Sequence, residues 1–209
     1  MKKTIGRTMG VILGLALAST LGATGVAEAA AQPSGPAVAA APAVSRAGAG
    51  GSVVEAPAAV VAELKAATSR ARGSLAPNAR VVCYAAHVQD IGWQPAVCGG
   101  NVAGTTGQSR QMEALAISTS GVGGVCANAH LADIGWQGWA CGRDGDVVTV
   151  GTTGQSRRME ALGVQVGTGS VGAQAHVEGY GWLASVGGNP VYAGTTGQSR
   201  RMEAVRVWV

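Results

Sequence analysis

The heptapeptide GTTGQSR occurs three times without change, starting at Gly104, Gly151 and Gly194. Each copy runs on into RQMEALAI, RRMEALGV or RRMEAVRV, so that a Glu always stands nine residues after the first Gly. Upstream, HVQDIGW, HLADIGW and HVEGYGW each carry a His followed six residues later by a Trp: His87/Trp93, His130/Trp136 and His176/Trp182. The His positions recur at 43 and then 46 residues, and the GTTGQSR positions at 47 and then 43. Extra residues around 143–148 account for the mismatch, so one loop of the second copy is longer. A run of this length cannot bury a face alone. Three copies must therefore close on one another, around a shared pseudo-threefold axis.

Within each copy the pattern is that of β-strands. Val82, Tyr84, Ala86 and Val88 alternate with Cys83, Ala85, His87 and Gln89, a period of two that puts the histidine on the face opposite the apolar one. The second copy repeats this with Val125, Ala127, Ala129 and Leu131 against Cys126, Asn128 and His130. The third has Val171, Ala173, Ala175 and Val177 against Gly172, Gln174 and His176. The same alternation puts Glu113 on one face with Leu115 and Ile117, Glu160 with Leu162 and Val164, and Glu203 with Val205 and Val207. An acidic residue then opens each inner stripe, and Arg110, Arg157 and Arg200 just before it are the expected ion-pair partners. Turn residues divide each copy into three or four short strands. The expected fold is all-β with three repeats spanning 81–120, 124–167 and 170–209. A β-prism is favoured and a β-trefoil is the alternative.

The four cysteines obey the same scheme. Cys83 and Cys98 are 15 residues apart, as are Cys126 and Cys141, and in the third copy both positions become glycine together, Gly172 and Gly187. Joint presence and joint loss predict bonds within copies, Cys83–Cys98 and Cys126–Cys141, out of three connectivities open to four cysteines. No pair has the spacing of a zinc site.

Upstream of the repeats, Lys2, Lys3 and Arg7 precede an apolar run and the small-residue site Ala27-Glu28-Ala29. Residues 1–29 thus have the layout of a secretory signal peptide, and no later apolar run is long enough to span a membrane. Residues 30–80 read as an Ala/Gly/Pro-rich tether, with a short helix expected at 56–71 that either docks on the repeats or belongs to the linker. The formal charge of +4 belongs to these leading segments. The region 82–209 has seven basic and eight acidic groups, so it has no basic surplus for nucleic acid.

The segment from HVQDIGWQ to GTTGQSRQMEALAI resembles the clostridial hydrophobic repeat with its characteristic Trp, the ChW repeat, in all three copies and over roughly residues 82–209. The third copy departs at Leu183, where the others have Gln94 and Gln137, and at Gly179-Tyr180, where the others have Asp-Ile. The resemblance implies a secreted or surface-associated bacterial protein of a family linked to adhesion and extracellular polymer binding, without an established catalytic activity.

The residue types fit that expectation. Trp93, Trp136 and Trp182 are candidate platforms for stacking a sugar ring, with packing inside the fold as the alternative. His87, His130 and His176 are candidate ligand donors, against an imidazole packed beside its own Trp or a three-histidine metal site. Gln108, Gln155 and Gln198 are candidate contacts to sugar hydroxyls, on a loop whose glycines otherwise serve a turn. That loop lacks the GxxxxGK[ST] of a phosphate-binding loop. Neither a converging carboxylate pair nor a Ser-His-Asp order stands out, and Asp144-Gly145-Asp146 lacks the remaining spacing of a calcium loop. The reading is a secreted, non-enzymatic module with no metal or cofactor. Its expected partner is extracellular polysaccharide or cell-wall glycan, with a surface-protein or self-associating role as the alternative.

Overall fold

The computed structural model describes residues 54–209; the expected leader at 1–29 and the first part of the tether lie outside them. The elements in chain order are α1 (Ala58–Gly73), β1 (Val81–Val88), β2 (Gly92–Trp93), β3 (Val97–Cys98), β4 (Ala103–Gly104), β5 (Met112–Ser120), β6 (Val125–Leu131), β7 (Gly135–Trp136), β8 (Ala140–Gly142), β9 (Val147–Gly151), β10 (Met159–Val166), β11 (Val171–Val177), β12 (Gly181–Trp182), β13 (Val186–Gly188), β14 (Val191–Gly194) and β15 (Met202–Trp208).

The repeats form three antiparallel sheets of five strands. The first has the order β2-β1-β5-β9 with β3 also on β1; the second is β7-β6-β10-β14 with β8 on β6; the third is β12-β11-β15-β4 with β13 on β11. Each copy keeps its long strand pair and gives its fourth strand away. Strand β9 of the second copy completes the first sheet, β14 of the third copy completes the second, and β4 of the first copy completes the third. The exchange closes a ring of three interlocked copies.

The first Gly of GTTGQSR makes the exchange sterically possible. Gly151 lies opposite Ala114 with φ 101°, and a Cβ there would overlap the Glu113 carbonyl oxygen. Gly104 over Glu203 and Gly194 over Glu160 repeat the contact. The residue after each Gly fixes the junction, Thr152 N–H donating to Glu113 O at 2.8 Å, Thr195 to Glu160 at 2.9 Å and Thr105 to Glu203 at 2.8 Å. These glycines serve close backbone approach rather than a turn. The second Gly, with open space around it in Gly107, Gly154 and Gly197, is the turn residue.

Val82, Tyr84, Ala86 and Val88 do face a shared core, together with Ala127, Ala129, Leu131, Ala173, Ala175 and Val177 from the other sheets. The closing strands correct the expected alternation. His87 pairs with Ala114 and Val88 with Met112, so Glu113 is the extra residue of a β-bulge; Glu160 and Glu203 are skipped in the same way. A bulge reverses the phase of the strand. Met112 and Leu115 therefore both reach the core, while the carboxylate of Glu113 turns to the outer face beside His87.

Two disulfides, Cys83–Cys98 and Cys126–Cys141, join β1 to β3 and β6 to β8 at directly paired positions, the bonding of a chain that folds in an oxidising environment. Among the described residues no helix is long and apolar enough to cross a membrane. Helix α1 begins with Pro57 as its N-cap and packs Leu64 and Ala67 against Val81, Cys83, Ala85 and Ala116 on the outer face of the first sheet. The Ala96 N–H donates to Glu63 Oε1 at 2.9 Å and fixes its position. The helix docks on the repeats; it is not a free part of the linker.

Loops between the third and fourth strands reinforce the ring. The buried Tyr84 hydroxyl donates to Asn101 O and accepts the Val207 N–H at 2.9 Å, bridging first and third copies; burial pushes this phenol up to about 12. Asn189 binds the N–H and C=O of Val166 and the Gly169 carbonyl. In the second copy the longer loop carries Asp144, whose carboxylate accepts the N–H groups of Gly121, Val122, Gly123 and Gly124 and the Thr119 hydroxyl. The DGD segment thus caps a turn with its first carboxylate.

Candidate functional site

At one edge of each sheet a tight hairpin joins the first strand to the second. In the first copy Ile91 N–H bonds to Val88 O, and Asp90 takes φ 61°; Asp133 and Gly179 occupy the same left-handed position in the others. This geometry lifts the next side chain away from the core. Ile91, Ile134 and Tyr180 are consequently 47%, 46% and 44% exposed at three matching tips.

Directly behind each tip stand the predicted His and Trp, paired across strands as His87 with Trp93, His130 with Trp136 and His176 with Trp182. Their rings meet edge to face at 5.3–5.4 Å. On the other side, each imidazole Nδ1 lies 3.1–3.2 Å from a carboxylate oxygen of Glu113, Glu160 or Glu203. The contact does not meet hydrogen-bond geometry, so it is a close approach of polar atoms rather than a formed hydrogen bond. Each imidazole does pack beside its own Trp, with a carboxylate as its other neighbour.

The expected Arg–Glu pairing also changes partner. Arg110 donates to Gln89 O and Asp90, Arg157 to Ala132 O with Asp133 at 3.6 Å, and Arg200 to Glu178 O with its guanidinium over the Tyr180 ring. These arginines brace the hairpin tip. The buried glutamates are held instead by the residue two positions back along the chain: Arg158 on Glu160, Arg201 on Glu203, and in the first copy the neutral Gln111 on Glu113. The i, i+2 relation follows from strand geometry, which puts such residues on one face.

Each Trp is half-buried and has a different further neighbour. Trp93 joins the apolar cluster under α1. Trp136 meets Tyr192 edge to face at 5.4 Å. Trp182 has Arg206 over its ring at 4.4 Å. The Gln after Trp is an amide clamp: Gln94 accepts from Gly104 N–H, and Gln137 both accepts from Gly151 N–H and donates to its carbonyl. Leu183 packs against the core instead, but the third His–Trp–Glu group keeps the geometry of the other two. Gln108, Gln155 and Gln198 are exposed on the GTTGQSR loops. Of these three side chains, among the described residues, only that of Gln155 is hydrogen-bonded, to Arg157, and none is hydrogen-bonded to the His or Trp.

The three histidines belong to three different sheets, each with its own glutamate. Among the described residues no group of three or more His, Cys, Asp or Glu is gathered as a metal site. The family model described as clostridial hydrophobic W matches residues 87–121, 130–166 and 176–209. The chain belongs to that family. Its three matched segments each start at the histidine and take in the hairpin tip, the Trp, the GTTGQSR loop and the bulged Glu. In a clostridial hydrophobic W chain of this kind the recurring residues form one physical unit, a braced hairpin with a His–Trp–Glu group behind it. No curated protein and no solved structure matches the chain.

Sequence reasoning missed three elements of this site. The exposed tip was signalled by an apolar residue between Asp and Gly in a turn. The bulge and the aromatic neighbours Tyr192 and Trp139 had no repeated signal.

Proposed function

We propose that the protein is a secreted, non-catalytic binding module for an extracellular carbohydrate or cell-wall polymer. The observation that carries this reading is the threefold display of a half-buried Trp beside an exposed apolar tip, on a repeat region that also exposes the amides of Gln108, Gln155 and Gln198 and has little net charge. Such surroundings suit a sugar ring, whose axial hydrogens meet an aromatic face while its hydroxyls find polar partners. Repetition suits a repetitive polymer, because linked weak sites raise the effective concentration. The layout of residues 1–29 supports export, in keeping with the two disulfides. We further read the three interlocked sheets as a β-prism rather than a β-trefoil, since each sheet is separate and completed by a strand from the next copy.

The test is retention of residues 54–209 on insoluble polysaccharides, peptidoglycan included. Replacing Trp93, Trp136 and Trp182 in turn by Ala is expected to lower retention in steps; undiminished retention by the folded triple variant would sink the Trp-based reading. A second reading is a protein-binding or self-associating surface module, favoured by the exposed Ile91, Ile134 and Tyr180. Self-association in sedimentation without sugar, together with no retention on any polysaccharide, would select it.

A further inference from the structure

Matching positions on the three outer faces are filled in different ways. On the first sheet, Cys83 and the cross-strand pair Ala85/Ala116 lie beneath α1. On the third, Gly172 takes the place of Cys83, and a Cβ there would overlap the indole of Trp208; the chain's own ring fills the recess, with Arg206 beside it over Trp182. On the second sheet the matching residue is Cys126, and the recess over it is open. It has a volume of about 430 Å³ and is lined by the Cys126–Cys141 disulfide, Arg143, Asp146, Gln165 and glycine-rich backbone.

One residue pair further along the same face is Gly163, opposite Asn128 on one side and Tyr192 on the other. Tyr192 and Trp139 lie over it, 3.0 and 3.1 Å from where a Cβ would stand. Tyr192 meets Trp139 at 6.0 Å and Trp136 at 5.4 Å, both edge to face. This aromatic wall stands one residue pair along from the open recess, outside its lining, and it leads to the repeated His130–Trp136–Glu160 group.

We infer that this recess and its aromatic wall are the principal ligand site of the molecule, and that it takes a neutral oligosaccharide. The inference rests on the carbohydrate-binding reading above and names where that binding is concentrated. The Trp139 and Tyr192 rings are the kind of surface on which the axial hydrogens of a pyranose stack. The lining supplies hydroxyl partners of both senses: the amide of Gln165 donates and accepts, the guanidinium of Arg143 donates, and the carboxylate of Asp146 accepts. One positive and one negative group leave no net charge to attract an ionic ligand. The arrangement has the mostly apolar wall and few polar anchors of a small-molecule site.

The test titrates residues 54–209 with a panel of neutral hexasaccharides, of β-1,4-linked glucose, xylose, mannose and N-acetylglucosamine, following the five Trp indole N–H resonances. Binding is expected to shift Trp139 and Trp136 and leave Trp208 in place. Gln165→Ala, on an exposed side chain that the fold does not need, and Trp139→Ala should each weaken binding about tenfold, while Trp182→Ala changes it less than about twofold. If polymer is retained but Gln165→Ala and Trp139→Ala bind as wild type, the recess is not the site, and the broader reading survives. If wild type takes neither hexasaccharide nor insoluble polysaccharide, the broader reading falls and this inference with it.

Discussion

The first and second sheets share strand order, bulge, disulfide position and His–Trp–Glu geometry, yet one outer face is roofed by a helix and the other by two aromatic rings beside an open recess. At the matched cross-strand pair beneath these roofs the first sheet has Ala85 and Ala116 where the second has Asn128 and Gly163. Two alanines make a flat apolar floor on which Leu64 packs with no exposure. An amide and a glycine leave a polar floor with a hollow, into which Tyr192 and Trp139 lean. The repeats set a common scaffold, and the unrepeated residues decide what each face does.

The largest expected effect separates a structural roof from a surface wall. Leu64→Ala should cost about 2–4 kcal/mol, read from the urea midpoint. Trp139→Ala, on a half-buried ring, should cost about 1 kcal/mol; equal losses would make the aromatic pair a roof like α1 and erase the contrast. Next is chemical access. Cys83 is fully buried under α1 whereas Cys141 is exposed, so limiting reductant followed by thiol alkylation should open the second disulfide about tenfold faster than the first. Equal rates would mean that the helix does not shield its face.

A smaller effect concerns acid. Burial alone would raise the Asp144 carboxyl, but the N–H groups of Gly123, Gly124 and Val122 and the Thr119 hydroxyl outweigh it and hold it below the usual carboxylate range. A carboxylate so depressed contributes stability that is complete above its unfolded pKa and is lost as pH falls through the folded one. Asp144→Asn should therefore lower stability by about 1 kcal/mol near neutral pH and flatten the acid limb below the unfolded aspartate range, about pH 4. An unchanged acid limb would remove the clamp from the account. The smallest effect is Gly163→Ala: stability should move by about 0.5 kcal/mol or less, because ring tips give way easily, while oligosaccharide affinity falls several-fold as the wall is displaced. A large stability loss would show the rings to be tightly packed and the wall not free to serve a ligand.

Strand positions, the inward face of β1, β6 and β11, and both disulfides were legible because a period of two and three aligned copies specify them. The bulge was not. Met112, Glu113, Ala114 and Leu115 fit either phase of a strand, and only pairing against His87 shows which residue is skipped. Strand exchange was hidden for a different reason. When three sheets carry nearly the same sequence, a fourth strand meets equivalent partners in its own sheet and its neighbour's. The His and Trp of the site were legible as a pair, but their shared Glu was assigned to the core, and the arginines to the Glu, because both errors follow from the unseen bulge. Trp139 repeats nowhere and so reads from sequence as a packing or local surface residue, and Tyr192 likewise has no repeated counterpart to draw it into a site.

The exchanged fourth strand also governs the order of assembly. Strand β4, at residues 103–104, has its sheet partner in β15, at residues 202–208. A chain made from its N-terminus holds β4 without this partner until β15 is available, and the Tyr84 hydroxyl waits equally for Val207. Closure therefore depends on a strand made well after the one it pairs with, so the third sheet is completed late however early its edge strand is made.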